Sequence, residues 1–428
     1  MVKNILGNLS GMFFTLDKWH SSLLVASLAI VTVKGTFAQE KLPAWRPGYF
    51  DIHHINTGSG NAAFMIFPDG TTLLFDAGEI KRNASSFGLK YSPRLPHDTI
   101  SAATCIVNYC QQVLPGIQTL DYAVISHFHP DHFGAIDELS PRSKHGEYRL
   151  SGITEVYEYL PIRTLIDRNY PTYDFPVDIR TNTFDRKTFE NYLAFINANK
   201  EHLKVEAVQV GNSKQIKPQK NLKNFAVQNI CSNGTVWSGA SNNTLRIVPD
   251  SIDAKDYNEN PLSIGLKFSY GSFDYFTAGD LTGLRGFNLP PWFDLETHVA
   301  PVVGKIEALS LNHHGVRDAM NEVFLQRLAP RVLIQQSWSS NHPGEEVLHR
   351  MISTSTYPGQ RSIFATFVHD ATASTYGKWL TDNYSSMRGH VVIRVLPDGK
   401  EFYVYVMHDS SLNINVLKRH GPFKSYEP

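Results

Sequence analysis

Short apolar runs, separated by turns, dominate the hydrophobic pattern of the first part of the chain. Three runs lie around Ile52 and Ile55, at 63–67 and at 72–75, with turns at 58–60 and 68–70. Runs of this length between turns that contain glycine and proline are typical of β-strands. Residues 49–79 are therefore predicted to form three strands.

The rest of the chain alternates helical and strand patterns. Helical spacing of apolar residues occurs at 99–114, where Thr99 or Asp98 is a candidate N-cap, and at 184–200, and another helix is expected to begin at 133–139. Apolar runs predict strands at 120–126, 162–166, 225–230, 262–269, 273–277, 306–311 and 332–336, and a hairpin at 391–396 and 402–406. This alternation indicates an α/β fold.

The N-terminal segment predicts export. Residues 21–33 form an apolar run that is shorter than the roughly 20 residues of a membrane-spanning helix. A lysine precedes this run and small residues follow it, as in a secretory signal that is cleaved before Gln39. We therefore expect a signal peptide at 1–38, with Met12 as an alternative start, and a periplasmic or secreted protein. The alternative is an uncleaved membrane anchor.

A single domain is expected to follow the signal, at 39–428, with an insertion around 140–260 and a C-terminal extension of a helix and a hairpin. The 40 basic and 40 acidic residues balance, which argues against a broad nucleic-acid-binding face. The cysteines allow at most one disulfide and are expected to be buried small side chains: Cys105, Cys110 and Cys231.

Potential metal ligands are concentrated directly after one predicted strand. The heptapeptide SHFHPDH at 126–132 contains His127, His129, Asp131 and His132. Loops at strand ends commonly carry functional residues, and imidazole and carboxylate groups are ligands for zinc, manganese or iron. The spacing suits two ions, the first held by His127 and His129 and the second by Asp131 and His132.

Other predicted strand ends carry residues of the same kind. Asp76 follows one strand, Asp280 another, and the pair His313 and His314 a third. Asp280 can bridge two ions, and one of the two histidines can complete the second site, because adjacent side chains of an extended segment diverge. Two such ions generate a hydroxide that attacks phosphorus or a carbonyl carbon. His342 also follows a strand, and we expect it to donate a proton or contact substrate.

Together these motifs resemble the metallo-β-lactamase superfamily of hydrolases. SHFHPDH matches the H-x-H-x-D-H signature, and three further stretches resemble the remaining metal motifs: LLFDAGE at 73–79, FTAGD at 276–280 and LNHHG at 311–315. The stretches that lead to Asp76 and Asp280 are most similar to the hydrolase domain of ComEC-type competence proteins. The resemblance covers about residues 49–350.

The resemblance implies a four-layer αβ/βα sandwich with the metals at one edge. It implies two divalent ions as cofactors, zinc first, with manganese or iron as alternatives. It also implies that Asp131 belongs to the catalytic centre, and that Asp76 supports the metal loop without binding an ion itself.

The chain departs from the family pattern at one ligand. Many members carry another histidine between the signature and the bridging aspartate, and only His145 and His202 lie in that interval. Both are in polar segments and are expected at the surface, and Cys231 is expected to be buried. The first site is therefore completed by water, by substrate, or by an amide such as Asn233 or Asn260.

These observations favour an exported metallo-hydrolase that acts on a phosphodiester or another small molecule. Lactam, lactone or other ester hydrolysis is the alternative chemistry. A redox protein with two irons is disfavoured, because such proteins usually carry a flavin or rubredoxin module and this chain has little room for one. A binding protein with a vestigial metal site is the third possibility. We expect no nucleic-acid partner and no membrane span once the signal is cleaved.

Overall fold

The computed structural model describes residues 40–81, 88–183 and 185–427, so the predicted signal peptide at 1–38 lies outside the described residues. Residues Gln39–Pro428 form one unit. None of the helices in the described ranges is long and apolar enough to cross a membrane.

The strands follow the predicted apolar runs closely. The described residues contain these strands: β1 Phe50–His54, β2 Ala63–Ile66, β3 Thr72–Phe75, β4 Leu120–Val124, β5 Ile162–Asp167, β6 Lys204–Ala207, β7 Phe225–Ser232, β8 Thr235–Trp237, β9 Thr244–Arg246, β10 Gly265–Tyr270, β11 Phe273–Thr277, β12 Ala308–Ser310, β13 Val332–Gln335, β14 Ser362–Ala365, β15 Tyr384–Ser386, β16 His390–Val395, β17 Glu401–Met407 and β18 Val416–Lys424.

The helices lie mostly between the parallel strands. They are α1 Ala102–Val113, α2 Pro130–Phe133, α3 Gly152–Tyr159, α4 Ile179–Asn182, α5 Arg186–Asn199, α6 Glu296–Val303, α7 Glu322–Leu328, α8 Glu345–Ile352, α9 Asp370–Tyr376 and α10 Lys378–Thr381. Short 3₁₀ turns occur at Ala254–Asp256, Asn260–Leu262, Pro291–Phe293, Asn312–Gly315 and Pro397–Gly399.

Two mixed sheets carry the fold. The first has the order β18-β17-β16-β1-β2-β3-β4-β5-β6 and the second the order β15-β14-β13-β12-β11-β10-β7-β8-β9. In each sheet an antiparallel part meets a parallel part, at β3 in the first and at β11 in the second. The C-terminal strand β16 pairs with β1, and β17 pairs with β16, so the C-terminal extension completes the first sheet.

The side chains of each sheet alternate between two hydrophobic cores. In β2, Phe64 and Ile66 pack with α1, α3 and α5 on the outer face, whereas Ala63 and Met65 enter the core between the sheets. This is the period of two that a strand imposes on its side chains. A third core lies between the second sheet and α6, α7 and α8. The result is the four-layer αβ/βα sandwich that the sequence predicted.

Three local predictions were wrong. The N-cap of α1 is Ser101, whose hydroxyl accepts a hydrogen bond from the Thr104 amide at 3.0 Å, and not Thr99 or Asp98. No helix occupies 133–139, because α2 ends at Gly134, which has a φ of 108° that only glycine adopts readily. The C-terminal hairpin also carries a third strand, β18, that the pattern did not indicate.

Candidate metal centre

The SHFHPDH loop is fixed by the backbone of its neighbours. The Asn61 amide donates to the Asp131 carbonyl at 2.8 Å, and the Ala77 amide donates to the His132 carbonyl at 2.9 Å. The loop lies so close to Gly78 that a Cβ atom there would meet the Asp131 carbonyl oxygen at 1.7 Å. The glycine of LLFDAGE therefore allows the metal loop to approach the end of β3.

The residues at the ends of β4, β11 and β12 converge into two groups of potential ligands. The donor atoms of the first group lie within 4.8 Å of one another, as do those of the second: His127, His129 and Asp280 in the first, and Asp131, His132, Asp280 and His314 in the second. Asp280 belongs to both groups. The structure thus brings His127 and His129 together in one group and Asp131 and His132 in the other, with Asp280 common to both.

The two carboxylate oxygens of Asp280 face different groups of imidazoles. Its Oδ1 lies 2.9 Å from His132 Nε2 and 3.5 Å from His314 Nε2. Its Oδ2 lies 3.6 Å from His127 Nε2 and 3.6 Å from His313 Nε2. One carboxylate can therefore serve both ions, as a bridging ligand does.

Asp76 fixes Ser126 and His132 of the loop by hydrogen bonds. Its Oδ1 accepts a hydrogen bond from the Ser126 amide at 2.7 Å, and its Oδ2 accepts one from the Ser126 hydroxyl at 2.8 Å. His132 Nδ1 lies 2.8 Å from the same Oδ2. Because an ionised carboxylate only accepts, His132 donates through Nδ1, which leaves Nε2, facing Asp280, as the nitrogen that could bind a cation.

His313 and His314 both point into the centre. The expectation that only one of them does so was wrong in its physical premise, because the segment is not extended: φ is 45° at His313 and 53° at His314. In this left-handed conformation the two side chains do not alternate between opposite sides. The Nδ1 of His314 lies 3.1 Å from the Gln336 carbonyl, while the Nδ1 of His313 lies 2.5 Å from Asp318 Oδ1.

The buried imidazoles and carboxylates of the centre shift one another's pKa values. Burial lowers the pKa of His132, but the carboxylates of Asp280, Asp131 and Asp76 outweigh burial and raise that pKa well above its usual value. Burial likewise raises the pKa of Asp280, yet the surrounding imidazoles, His132 foremost, hold it well below its usual value. The carboxylates of Asp131 and Asp280, whose pKa values are lowered, therefore stay anionic and attract positive charge to the point between the histidines.

The donor set fits divalent ions. His132 Nε2 and Asp280 Oδ1 are buried and have no partner in hydrogen-bonding geometry, although they lie 2.9 Å apart. Asn260 Oδ1 is also buried without a partner, and its side-chain nitrogen lies 3.2 Å from His313 Nε2. Unpaired buried polar atoms are costly unless something binds them, and imidazole with carboxylate is the donor set of zinc.

A buried ion pair that the sequence analysis missed supports the loop from its other side. Glu259 Oε2 accepts from the Phe128 amide at 3.2 Å and from Arg168 Nε at 2.9 Å, while Arg168 Nη2 contacts Glu259 Oε1 at 2.5 Å. Phe128 lies between the two histidines of the first group. Neither Arg168 nor Glu259 was singled out from the sequence.

A cavity of about 340 Å³ opens onto the centre, and its wall includes Asp131, His313, His314 and His342. The ring of His342 stacks on His314 with centroids 4.6 Å apart. Trp338 contacts His342 at 5.2 Å between centroids and lines the same cavity. His342 thus lines the cavity where a substrate could contact it, and burial lowers its pKa well below the usual value, which disfavours the role of proton donor.

Several histidines and one cysteine stand apart from the centre. His145 is exposed and lies 4.0 Å from Glu158, and His202 is also exposed. His53 and His54 are buried in β1, where they contact Tyr109 and Tyr275. All three cysteines are buried and free, as predicted, and Cys231 belongs to neither of the two ligand groups.

The two amides proposed for the first site differ in their surroundings. Asn233 Oδ1 already accepts a hydrogen bond from Arg168 Nη1 at 2.7 Å, and its side-chain nitrogen donates to the Arg168 carbonyl at 2.6 Å. Its amide is therefore engaged by Arg168 on both sides, whereas Asn260 borders the cavity beside His313.

Comparison with known proteins points to one superfamily. The model of the metallo-beta-lactamase superfamily matches residues 56–191, which include SHFHPDH. No curated protein matches the sequence.

Three solved structures illustrate the structural similarity. The metallo-beta-lactamase fold protein YhfI from Bacillus subtilis is 11% identical with a TM-score of 0.32, covering 79% of this chain and 95% of its own. Zn²⁺-bound PqqB from Methylobacterium extorquens is 11% identical with a TM-score of 0.32, covering 67% and 88%. Unliganded yeast PDE1 is 10% identical with a TM-score of 0.34, covering 80% and 98%.

The signature loop, the bridging position of Asp280 and the αβ/βα sandwich agree with the match to the superfamily model. The match ends at residue 191, so Asp280, His313 and His314 are placed by the structure rather than by the comparison. Residues 56–191, less than half of the chain, match the model of the metallo-beta-lactamase superfamily, and they lie in a sandwich of two mixed sheets.

Proposed function

We propose that the protein is a hydrolase that uses two divalent cations, with zinc as the first candidate and manganese or iron as alternatives. The observation that carries the proposal is the pair of ligand groups that share Asp280. Two cations held in this way lower the pKa of water and stabilise the negative charge that develops on an attacked phosphorus or carbonyl group.

The residues of the chain divide the work between the two positions. His127 and His129 would hold the first cation, His132 and His314 would hold the second, and Asp280 would contribute to both. Asp131 also belongs to the second position, and it borders the cavity. Its Oδ2, 3.0 Å from His314 Nε2, is therefore placed to accept a proton from a water molecule that enters from the cavity.

The cavity favours a small substrate. Its volume of about 340 Å³ lies at the lower end of the range for small-molecule sites, and much of its wall is apolar, from Ile80, Leu89, Val316 and Trp338. We assign a phosphodiester as the substrate class, because two-metal sites are widely used to clamp both oxygens of an in-line displacement at phosphorus. Lactam, lactone or other ester hydrolysis is the second candidate.

His342 serves the substrate rather than the metals. Its ring lies against His314 and forms part of the cavity wall, and its Nδ1 faces the Trp338 amide at 3.4 Å. A substrate group bound above the second position would meet this imidazole.

Export is part of the proposal and rests on the sequence of 1–38 alone. The expected outcome is that the full-length protein, expressed in a Gram-negative host, is recovered from the periplasm with Gln39 as its first residue. Retention of residues 21–33 in a membrane fraction would instead support an anchor.

The decisive experiment combines metal analysis with two chromogenic substrates. The purified protein is expected to contain about two equivalents of zinc or manganese and to cleave bis-p-nitrophenyl phosphate in a chelator-sensitive manner. Asp131→Ala is expected to lower kcat/KM by roughly 100-fold or more, because a ligand is lost. Asp137→Ala, at an exposed aspartate nearby in the chain, is the matched control.

Each contrary outcome has a distinct meaning. Cleavage of a chromogenic lactam but not of the phosphodiester would replace the substrate class and keep the hydrolase. Full activity of Asp131→Ala, or a metal-loaded protein that cleaves neither substrate, would favour a binding protein.

A further inference from the structure

The first metal position lacks a third histidine in the usual part of the chain. His145 and His202 are exposed, and neither belongs to a ligand group within the described residues. Cys231 is buried, with its sulfur 3.9 Å from the Ser263 carbonyl. If the first position binds its cation through more than His127, His129 and Asp280, the additional donor must come from another element.

His313 lies beside the Asp280 oxygen that faces this position, although its donor atom is not within 4.8 Å of every donor of the first group. Its Nε2 lies 3.6 Å from Asp280 Oδ2, which is the same distance that separates His127 Nε2 from that oxygen. His314, next to it in the chain, faces the other carboxylate oxygen, Oδ1. The left-handed backbone at both residues makes this division possible, because it turns two adjacent side chains towards one carboxylate from different sides.

His313 is also oriented in the way that the other ligands are. Its Nδ1 is engaged by Asp318, just as the Nδ1 of His132 is engaged by Asp76 and that of His314 by the Gln336 carbonyl. Histidines that bind metals nearly always donate their second ring nitrogen in this way, which fixes the tautomer. The Nε2 of His313 is then the nitrogen with the lone pair, and it accepts from the Asn260 side-chain nitrogen at 3.2 Å.

We propose that His313 supplies the third imidazole of the first metal position, so that the adjacent His313 and His314 serve one cation each. Asp318 is the positioning residue that holds His313 in the binding tautomer. The inference rests on the proposed two-cation site and adds the ligand that the family pattern leaves unassigned in this chain. It explains why LNHHG carries two histidines where the second position needs only one.

The test is metal binding, measured separately from activity. Metal-free full-length protein is titrated with Co²⁺, and the visible absorption and the bound metal per chain are recorded for the wild type, His313→Ala and His314→Ala. The wild type is expected to bind two ions. Each single variant is expected to retain one, with different absorption spectra, because each loses a different position.

Controls separate a ligand from a structural histidine. His145→Ala is expected to bind two ions, and Asp318→Asn is expected to weaken one of the two by roughly 10- to 100-fold, as loss of a supporting carboxylate does. Thermal unfolding of each metal-free variant shows whether it is folded. Asn260→Ala tests the competing donor and is expected to leave the stoichiometry at two.

The outcomes distinguish this inference from the proposed function. A wild type that binds no metal overturns both. A wild type and a folded His313→Ala that each bind two ions with equal affinity overturn only the role of His313. Loss of one ion in Asn260→Ala but not in His313→Ala would likewise overturn it and assign the amide as the ligand.

Discussion

Replacement of Asp76 by asparagine tests the support of the metal centre most directly. The carboxylate is fully buried and accepts three hydrogen bonds, two from Ser126 and one from His132 Nδ1. The Asp76→Asn amide keeps one oxygen for the Ser126 amide. Its NH₂ group, however, would face the Ser126 hydroxyl and His132 Nδ1, and it cannot accept a hydrogen bond from either.

The magnitude follows from these contacts. A hydrogen bond to a charged group is worth about 1.5–3 kcal/mol, and relief from burying the charge offsets part of the loss, so we expect metal-free Asp76→Asn to lose about 2 kcal/mol of unfolding free energy. His132 is then driven to carry its proton on Nε2, the atom that faces Asp280 Oδ1 at 2.9 Å. Affinity for the second cation should fall roughly 10- to 100-fold, which is about 1.4–2.7 kcal/mol.

The assay is competition with a chromophoric chelator, which resolves two binding constants, together with urea unfolding of the metal-free protein. Asp167→Asn is the matched control, because Asp167 is also fully buried at a strand end and accepts hydrogen bonds from Tyr173 and Tyr192 at 2.7 and 2.9 Å. The control should lose stability without losing metal affinity. Equal affinity losses in both variants, or two unchanged constants in Asp76→Asn, would refute the reasoning.

Three further predictions concern the surroundings of the centre and the stability of the fold. Gly78→Ala places a Cβ atom 1.7 Å from the Asp131 carbonyl oxygen, so we expect the free energy of unfolding to fall by about 1–3 kcal/mol. Calorimetric titration should also show weaker binding of the second cation, and wild-type affinity would contradict this prediction. Glu259→Gln leaves Arg168 buried without its charge partner and should lower the free energy of unfolding in urea by about 3–5 kcal/mol. The double variant Glu259→Gln/Arg168→Met should recover most of this loss. An equal loss in the double variant would show that the unpaired charge of Arg168 is not its cause. Burial raises the pKa of Glu307 to about 7 from 4.5, so the folded state binds this proton more tightly than the unfolded state. The protonated side chain therefore contributes up to about 3 kcal/mol of stability below pH 4.5, and this contribution is lost as the pH rises to 7. Glu307→Gln should flatten that part of the pH profile of unfolding, and an unchanged slope would assign it to other groups.

The fold was predictable because its signals are local. Alternation in 63–67 and 72–75 predicted β2 and β3, and the apolar run at 273–277 predicted β11 with its exact bounds. The helix expected at 133–139 failed because Gly134, a single residue with positive φ, ends α2 after one turn. The spacing of apolar residues does not indicate that a helix ends at such a glycine.

The candidate site was predictable for a different reason. The C-terminal ends of parallel strands in one sheet lie at the same edge, so ligand-type residues that follow such strands must come together. Asp76 and His127 follow the parallel neighbours β3 and β4, and Asp280 and His314 follow β11 and β12. Strand position thus indicates which residues of each sheet lie at one edge, whereas the meeting of the two edges in one site was implied by the resemblance.

Contacts between distant segments could not be predicted in this way. Arg168 and Glu259 are 91 residues apart, and each lies in a stretch without periodicity. Their pairing depends on how the end of β5 meets the segment before β10, which only the assembled sandwich determines. The same holds for Asp318 and His313, because a carboxylate five residues away contacts the imidazole only when the intervening chain turns back.

The two adjacent histidines show how backbone conformation decides chemistry. On an extended segment His313 and His314 would point to opposite sides, and one would be lost to the centre. The left-handed conformation costs free energy at any residue with a side chain, of the order of 1–2 kcal/mol each. Such strain persists only where the surroundings enforce it, and it concentrates at functional sites. Here Asp318 and the Gln336 carbonyl hold the two rings, so the strain places both imidazoles beside Asp280, and under the proposed role of His313 one short loop after β12 would contribute to both positions.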